Sequence, residues 1–138
     1  MSTNINYAKH FFEACETGKG WEKCSEFCHP TATFSSQTAA LSEIKSLEAY
    51  CEWMKDLFTP IPDGRYELKF FAADESTNSV AAFAVFHGTQ TGPGGPFPPT
   101  GKKVAADYVY HMEFEKDKIK HMTKIWNDYI SLQQLGWD

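Results

Sequence analysis

Apolar residues recur at three- and four-residue spacing along the first stretch of the chain. Tyr7, Phe11, Ala14 and Cys15 predict a helix from about Asn4 to Thr17. Asn4 or Thr3 is placed to cap its free amides, and Gly18 and Gly20 bracket its end. A short second helix is expected from Trp21 to Cys28, with Trp21, Cys24, Phe27 and Cys28 on one side. His29-Pro30 stops it, because proline lacks the N–H and restricts the residue before it. Ala32-Thr33-Phe34 reads as a short strand. Leu47, Tyr50, Cys51, Met54, Leu57 and Phe58 then form a continuous helical stripe behind Ser46, a candidate cap, and Pro60 and Pro62 close it off.

Beyond the Asp63-Gly64 turn the period changes from helical to alternating. Tyr66, Leu68 and Phe70 alternate with Glu67 and Lys69 and predict a strand. Asn78 turns the chain into a second strand, Val80 to Thr89, which is apolar on both faces. Such a strand must be covered twice, or covered once and face a lined cavity on its other side. A loop rich in glycine and proline, Gly92 to Thr100, leads to a strand from Val104 to Phe114. Lys116-Asp117 turns into a last strand, Ile119 to Trp126, and a short helical tail runs through Leu132 and Leu135 to Gly136. Helices followed by long strands define an α+β class, and a strongly curved sheet wrapped around the helices would fit. The 138 residues match one core, so a single domain over residues 1–138 is expected.

Composition narrows the function classes. The formal net charge is -5 with His neutral, and no Arg/Lys cluster occurs, which disfavours nucleic acid as a partner. No apolar run approaches the length of a membrane helix, and the Met1-Ser2-Thr3-Asn4 start lacks a basic stretch leading into an apolar one. No membrane partner and a cytoplasmic location are expected. Cys15, Cys24, Cys28 and Cys51 read as buried free thiols, since Cys24 and Cys28 lack the second ligand pair that a zinc site needs. His10, His29, His87, His111 and His121 are scattered, so no metal is expected. Phosphate-cradling loop and nucleophile elbow are both missing, so no cofactor is expected and any chemistry must rest on acid–base groups gathered by the fold.

The candidates for that chemistry are polar residues inside apolar strands. Asp107 lies among Ala105, Ala106, Tyr108 and Val109, where a carboxylate needs a partner or meets a desolvation cost. Asp107, Val109 and His111 point to one face, and Ala106, Tyr108, Tyr110 and Met112 to the other. His111 could exchange a proton near neutrality. His87 follows the apolar run Ala82 to Phe86 and is a candidate for the mouth of a cavity. Trp126, Asn127 and Asp128 end the last strand; Asn127 and Asp128 face opposite ways if it is regular, and Asp128 is also a candidate helix cap.

Several ordered stretches carry a resemblance. They are Phe58 to Asp63, Phe86 to Gly92, Pro98 to Val104, Phe114 to Ile119, Trp126 to Asp128, and Gln133-Gln134-Leu135-Gly136. In this combination the chain resembles the NTF2-like superfamily, in its SnoaL-like (polyketide cyclase-like) branch. The resemblance implies an NTF2-like/cystatin-like cone: three N-terminal helices packed in a strongly curved mixed β-sheet, an internal hydrophobic pocket, and a homodimer formed through the sheet. It also implies an acid–base Asp on the last strand shortly before the Gln-Leu-Gly ending. Counting back from that ending reaches Asn127, with Asp128 one residue later, so either a bulge re-aims Asp128 inward or the site lacks that carboxylate.

The resulting expectation is a cofactor-independent acid–base enzyme of the cyclase, isomerase or dehydratase class, acting on a small hydrophobic or aromatic carbonyl compound. Asp128, Asp107 and His111 are the candidate catalytic residues. Asn127, Trp126, His87, Tyr108 and Phe83 are the candidate substrate-binding residues. The alternatives are a non-catalytic binding protein for a small hydrophobic ligand and a protein-interaction domain.

Overall fold

The structure, a computed structural model, describes residues 3–137. Helix α1 spans Thr3–Glu16 and buries Ala8, Phe11, Phe12 and Cys15 at helical spacing. Asn4 does not serve as its cap: its amide donates to Asn78 Oδ1 at 2.7 Å and to the Lys116 carbonyl at 2.9 Å, tying the start of the helix to two strand turns. The second helix is shorter than its apolar stripe predicted. Helix α2 is Trp21–Cys24, a tight turn covers Ser25–Phe27, and strand β1 runs Cys28–Ser35. Pro30 is accommodated because β1 lies at a sheet edge, where no inner ladder needs its missing N–H. Helix α3, Leu47–Leu57, buries Leu47, Tyr50, Cys51 and Met54, and the Ser46 hydroxyl accepts from the Ala49 amide at 3.1 Å.

Strands β2 (Arg65–Asp74), β3 (Ser79–Thr89), β4 (Lys103–Glu115) and β5 (Lys118–Trp126) complete a five-stranded mixed sheet of order β1-β5-β4-β3-β2. Only β1 and β5 pair in parallel. The chain ends in helix α4, Asp128–Leu135, closed by Gly136 in the left-handed region at φ 73°. The α+β class is correct, but the strongly curved cone is not. The sheet is open: β1 and β2 are its two edges and do not pair with each other. Helix α1 packs on β2 and β3, α3 on β1, and α4 on β4, so the helices lie against the sheet rather than inside a wrapped one.

The inner face of β4 carries Val104, Ala106, Tyr108, Tyr110, Met112 and Phe114, all buried. Its neighbour β3 sets Ala84 beside Tyr108 and Ala82 beside Tyr110. Small residues opposite large rings let α1 settle on the sheet, with Phe12 stacked on Tyr108 at 6.2 Å between ring centroids. In β2 the ladder shifts register between Leu68 and Phe70. That bulge turns Phe71 toward the core, against Phe12, and leaves Phe70 half exposed. Simple alternation of Tyr66, Leu68 and Phe70 therefore ends at the bulge.

The loop after β3 is cinched by buried Gln90, which donates to the Gly92 carbonyl at 2.9 Å and accepts from the Thr100 amide at 2.5 Å. Gly92 lies so close to the α3–β2 connection that a Cβ there would sit 2.0 Å from the Thr59 carbonyl oxygen. Gly92→Ala is expected to lower the unfolding free energy by about 1–3 kcal/mol through overpacking. Urea denaturation reads this directly, and an unchanged midpoint would show that the loop retreats freely.

Candidate functional site

A cavity of about 240 Å³ opens between the inner face of the sheet, α3 and α4. Trp53, Met54 and Leu57 of α3, Phe86 of β3, Tyr108 of β4, Trp126 of β5 and Leu135 of α4 form an almost wholly apolar wall. Pro96 of the cinched loop and Trp137 complete the rim, and the indole N–H of Trp137 is buried without a hydrogen-bond partner.

Two charged side chains interrupt this wall: Glu16, the last residue of α1, and Lys124 of β5. Both are buried, Glu16 at 1% exposure and Lys124 at 6%. Pairing across the sheet sets Tyr110 beside Lys124 and Tyr108 beside Trp126. A continuous hydrogen-bonded chain follows. Lys124 Nζ donates to the Tyr50 hydroxyl at 2.9 Å, Tyr50 and Tyr110 share a hydroxyl–hydroxyl bond at 2.5 Å, and Tyr110 donates to Glu16 Oε2. Tyr108 donates to the other carboxylate oxygen at 2.5 Å. Because Tyr110 spends its proton on Glu16, the Tyr50 proton points to Tyr110, and every bond runs from Lys124 toward Glu16. The ammonium also faces aromatic rings, with the Trp126 centroid at 4.5 Å and those of Tyr50, Trp53 and Tyr108 between 5.2 and 5.3 Å.

Burial perturbs both charges. It raises the Glu16 carboxyl above its usual range, opposed by the Lys124 charge and then by the bonds from Tyr108 and Tyr110. It lowers the Lys124 ammonium to about 8, opposed by the Glu16 charge. Tyr50 and Tyr110 are pushed well above the ordinary phenol range, chiefly by burial, so both stay protonated hydrogen-bond carriers. A carboxyl raised and an amine lowered are thus joined by a chain of tyrosine hydroxyls in an apolar cavity, and shifts of this kind in a cleft mark candidate acid–base groups.

The residues expected from the sequence divide sharply. Tyr108 and Trp126 stand in the cavity wall. Asp107 is exposed on the outer face of β4, and His111 lies on the same face with Nδ1 3.9 Å from Glu113 Oε2. Phe83 is also on the outer face, edge-on to Phe70 at 6.3 Å. His87 pairs with Glu67 at 3.1 Å and lines a separate surface depression with Asp63 and Arg65. Asn127 is the N-cap of α4, its side chain accepting from the Ile130 amide. Asp128 begins that helix and accepts from the Ala40 amide at 2.8 Å. Asp128, Asp107 and His111 do not line the cavity, whose charged residues are Glu16 and Lys124.

Both had a legible signal. Glu16 follows Phe12 by four residues on the apolar stripe of α1, and Lys124 is in phase with Met122 and Trp126. Away from the cavity wall, the sulfurs of Cys15, Cys24 and Cys51 lie within 4.8 Å of one another, a possible metal-ligand group that the spacing of Cys24 and Cys28 did not reveal. Within this group burial pushes the Cys15 thiol up, whereas hydrogen bonds with Cys15 and Cys51 bring Cys24 down to about 5.

An open mixed sheet with helices on one face and an apolar cavity holding one buried carboxyl and one buried amine defines an α+β protein with an internal pocket. More particularly, the chain belongs to the SnoaL-like polyketide cyclase family, whose pattern it matches over residues 6–135. The fold is shared with IdmH of Streptomyces antibioticus, a candidate polyketide cyclase, at TM-score 0.78 and 17% identity, covering 98% of this chain and 99% of that one. AclR of Streptomyces galilaeus, a candidate hydroxylase, superposes at TM-score 0.77 with 19% identity over 98% of this chain and 85% of its own. TerC, co-crystallized with polyporic acid, gives TM-score 0.71 at 12% identity over 98% and 99% of the two chains. No curated protein matches the chain. No helix of the described residues is long and apolar enough to cross a membrane.

Proposed function

We propose that this protein is a cofactor-independent acid–base enzyme that moves a proton on a small aromatic or hydrophobic carbonyl compound. The observation that carries the reading is the Glu16–Tyr110–Tyr50–Lys124 chain on the wall of the apolar cavity. A cavity that only stored an apolar ligand gains nothing from two buried charges, each costing several kcal/mol in desolvation. An acid–base site needs them. The ligand ring stacks on Trp126 and Trp53, its carbonyl is polarised by Lys124, and the Glu16 carboxylate takes the proton from the adjacent carbon. Tyr108 holds the carboxylate in place, and the Trp137 N–H offers a further donor to a ligand oxygen. A protein of the same fold, TerC, was co-crystallized with polyporic acid, which supports a small organic compound as the class of ligand.

A panel of enolisable aryl ketones tests this by two readouts. Quenching of Trp53 and Trp126 fluorescence measures binding, and deuterium uptake from heavy water at the carbon beside the carbonyl measures proton transfer. Binding with accelerated exchange is expected. One observation favours a non-catalytic ligand carrier instead: both Glu16 oxygens already accept tyrosine hydroxyls. Tight binding with no exchange would establish that reading, and absence of binding throughout the panel would remove both. The homodimer remains a proposal supported by partly exposed Phe70 and Ile125 on the outer sheet face. A monomer mass by light scattering would remove it.

A further inference from the structure

We propose that Lys124 acts covalently, taking up the carbonyl compound as an imine on Nζ. The proposal rests on the acid–base reading above and deepens it, assigning how the carbonyl is activated. Lys124 is the amine in the cavity wall, and strand alternation fixes its stem inward between Met122 and Trp126. One N–H is committed to Tyr50 and the Trp126 ring lies at 4.5 Å, so the nitrogen is held in place rather than left to wander on a flexible stem. A purely structural inward position beside Met122 and Trp126 would be filled by an apolar side chain at no desolvation cost. Retaining an amine there puts a nucleophile where a hydrophobic carbonyl compound must lie.

The chemistry closes with the groups present. The lone pair of neutral Nζ forms the N–C bond as the C=O π electrons move to oxygen; the oxygen takes one proton and the nitrogen gives one up, leaving a neutral carbinolamine. The carbinolamine then loses its hydroxyl, with a second proton, as water; the nitrogen lone pair forms the C=N bond of a protonated imine, and loss of the remaining N–H proton gives the imine. Overall, one carbonyl and one amine become one imine and one water, with no oxidant or reductant. Tyr50, Tyr110 and Glu16 form the path by which protons reach and leave the reacting atoms. The groups facing Nζ are Glu16 with Cys15 behind it on α1, Tyr50 and Trp53 on α3, Tyr108 and Tyr110 on β4, and Trp126 on its own strand. Glu16 is the anion among them. It offsets the positive charge of a protonated imine as it offsets the ammonium, while the apolar walls exclude bulk water that would reverse the addition. With the ammonium lowered to about 8, the reactive neutral amine grows as pH rises and levels off above that value.

The test uses the full chain, benzaldehyde as probe and cyanoborohydride to reduce any imine in place. The expected result is one benzyl group per chain, mapped to Lys124, formed about tenfold or more faster than on exposed lysines at neutral pH. Labelling should rise with pH toward a plateau. Lys124→Met, shown folded by circular dichroism, should lose the fast label, and Lys124→Arg should lose it while keeping the charge. Benzyl groups scattered over surface lysines at equal rates in the wild type and in Lys124→Met would overturn the proposal. Deuterium exchange on the ketone panel separates the two readings. Exchange without a Lys124 label overturns the covalent step alone, whereas a Lys124 label without exchange supports imine formation and removes the proton-transfer reading.

Discussion

Urea unfolding is expected to show Glu16→Ala less stable than the wild type by about 3–5 kcal/mol at pH 6, the usual cost of breaking one partner out of a buried charge pair. The substitution leaves the Lys124 ammonium with no anion and the Tyr108 and Tyr110 hydroxyls with no carboxylate to receive them. The deficit should narrow as pH rises toward 9. Lys124 has a folded-state value lowered to about 8, so folding gains stability as pH climbs from there toward the ordinary lysine value. Removing Glu16 lowers Lys124 further and brings that gain to a lower pH in the variant. Equal deficits at pH 6 and pH 9 would show that the two charges do not depend on each other.

The second large effect is on turnover. Glu16→Gln keeps the shape and an acceptor oxygen for one tyrosine, but its amide cannot carry the proton. Deuterium exchange on any ketone that the wild type turns over is expected to fall by about 10²–10⁴, the usual contribution of a positioned acid–base group. Binding by tryptophan quenching should change much less, because Trp126, Trp53 and the aliphatic wall are untouched. Asp107→Asn and Asp128→Asn should leave exchange near the wild-type rate, since one carboxylate lies on the outer face and the other holds the Ala40 amide. Full exchange in Glu16→Gln together with its loss in Asp128→Asn would return the acid–base centre to the end of β5.

Most of the elements could be read from local pattern. The α3 stripe and its Ser46 cap, the β4 alternation and the Gly136 stop each depend on residues a few positions apart. The second helix is shorter than its stripe, because Trp21, Cys24, Phe27 and Cys28 keep helical spacing past the point where the chain tightens and becomes an edge strand. The β2 bulge was equally invisible: Phe70 and Phe71 are both large and apolar, and only pairing with β3 decides that Phe71 goes inside. The strong curvature expected of the sheet failed for a related reason. Alternation shows that residues share a face but not whether the outermost strands meet, and here β1 and β2 remain separate edges.

The site shows the same division. Alternation correctly grouped Tyr108 with Tyr110 and Asp107 with His111, yet it could not say which group faced the core. Asp107 stands out as a polar residue in an apolar strand, whereas the inward phase of Glu16 and Lys124 marks them only when read against the apolar stripes of α1 and β5. By itself the sequence determined most of the helices and strands, which residues share a face, and the family pattern, because 3.6- and 2-residue periods are properties of neighbouring positions. The tertiary structure alone decided which charges are buried. A charge survives in the core only where partners arrive from elsewhere in the chain, and the tyrosines that join Glu16 to Lys124 come from α3 and β4.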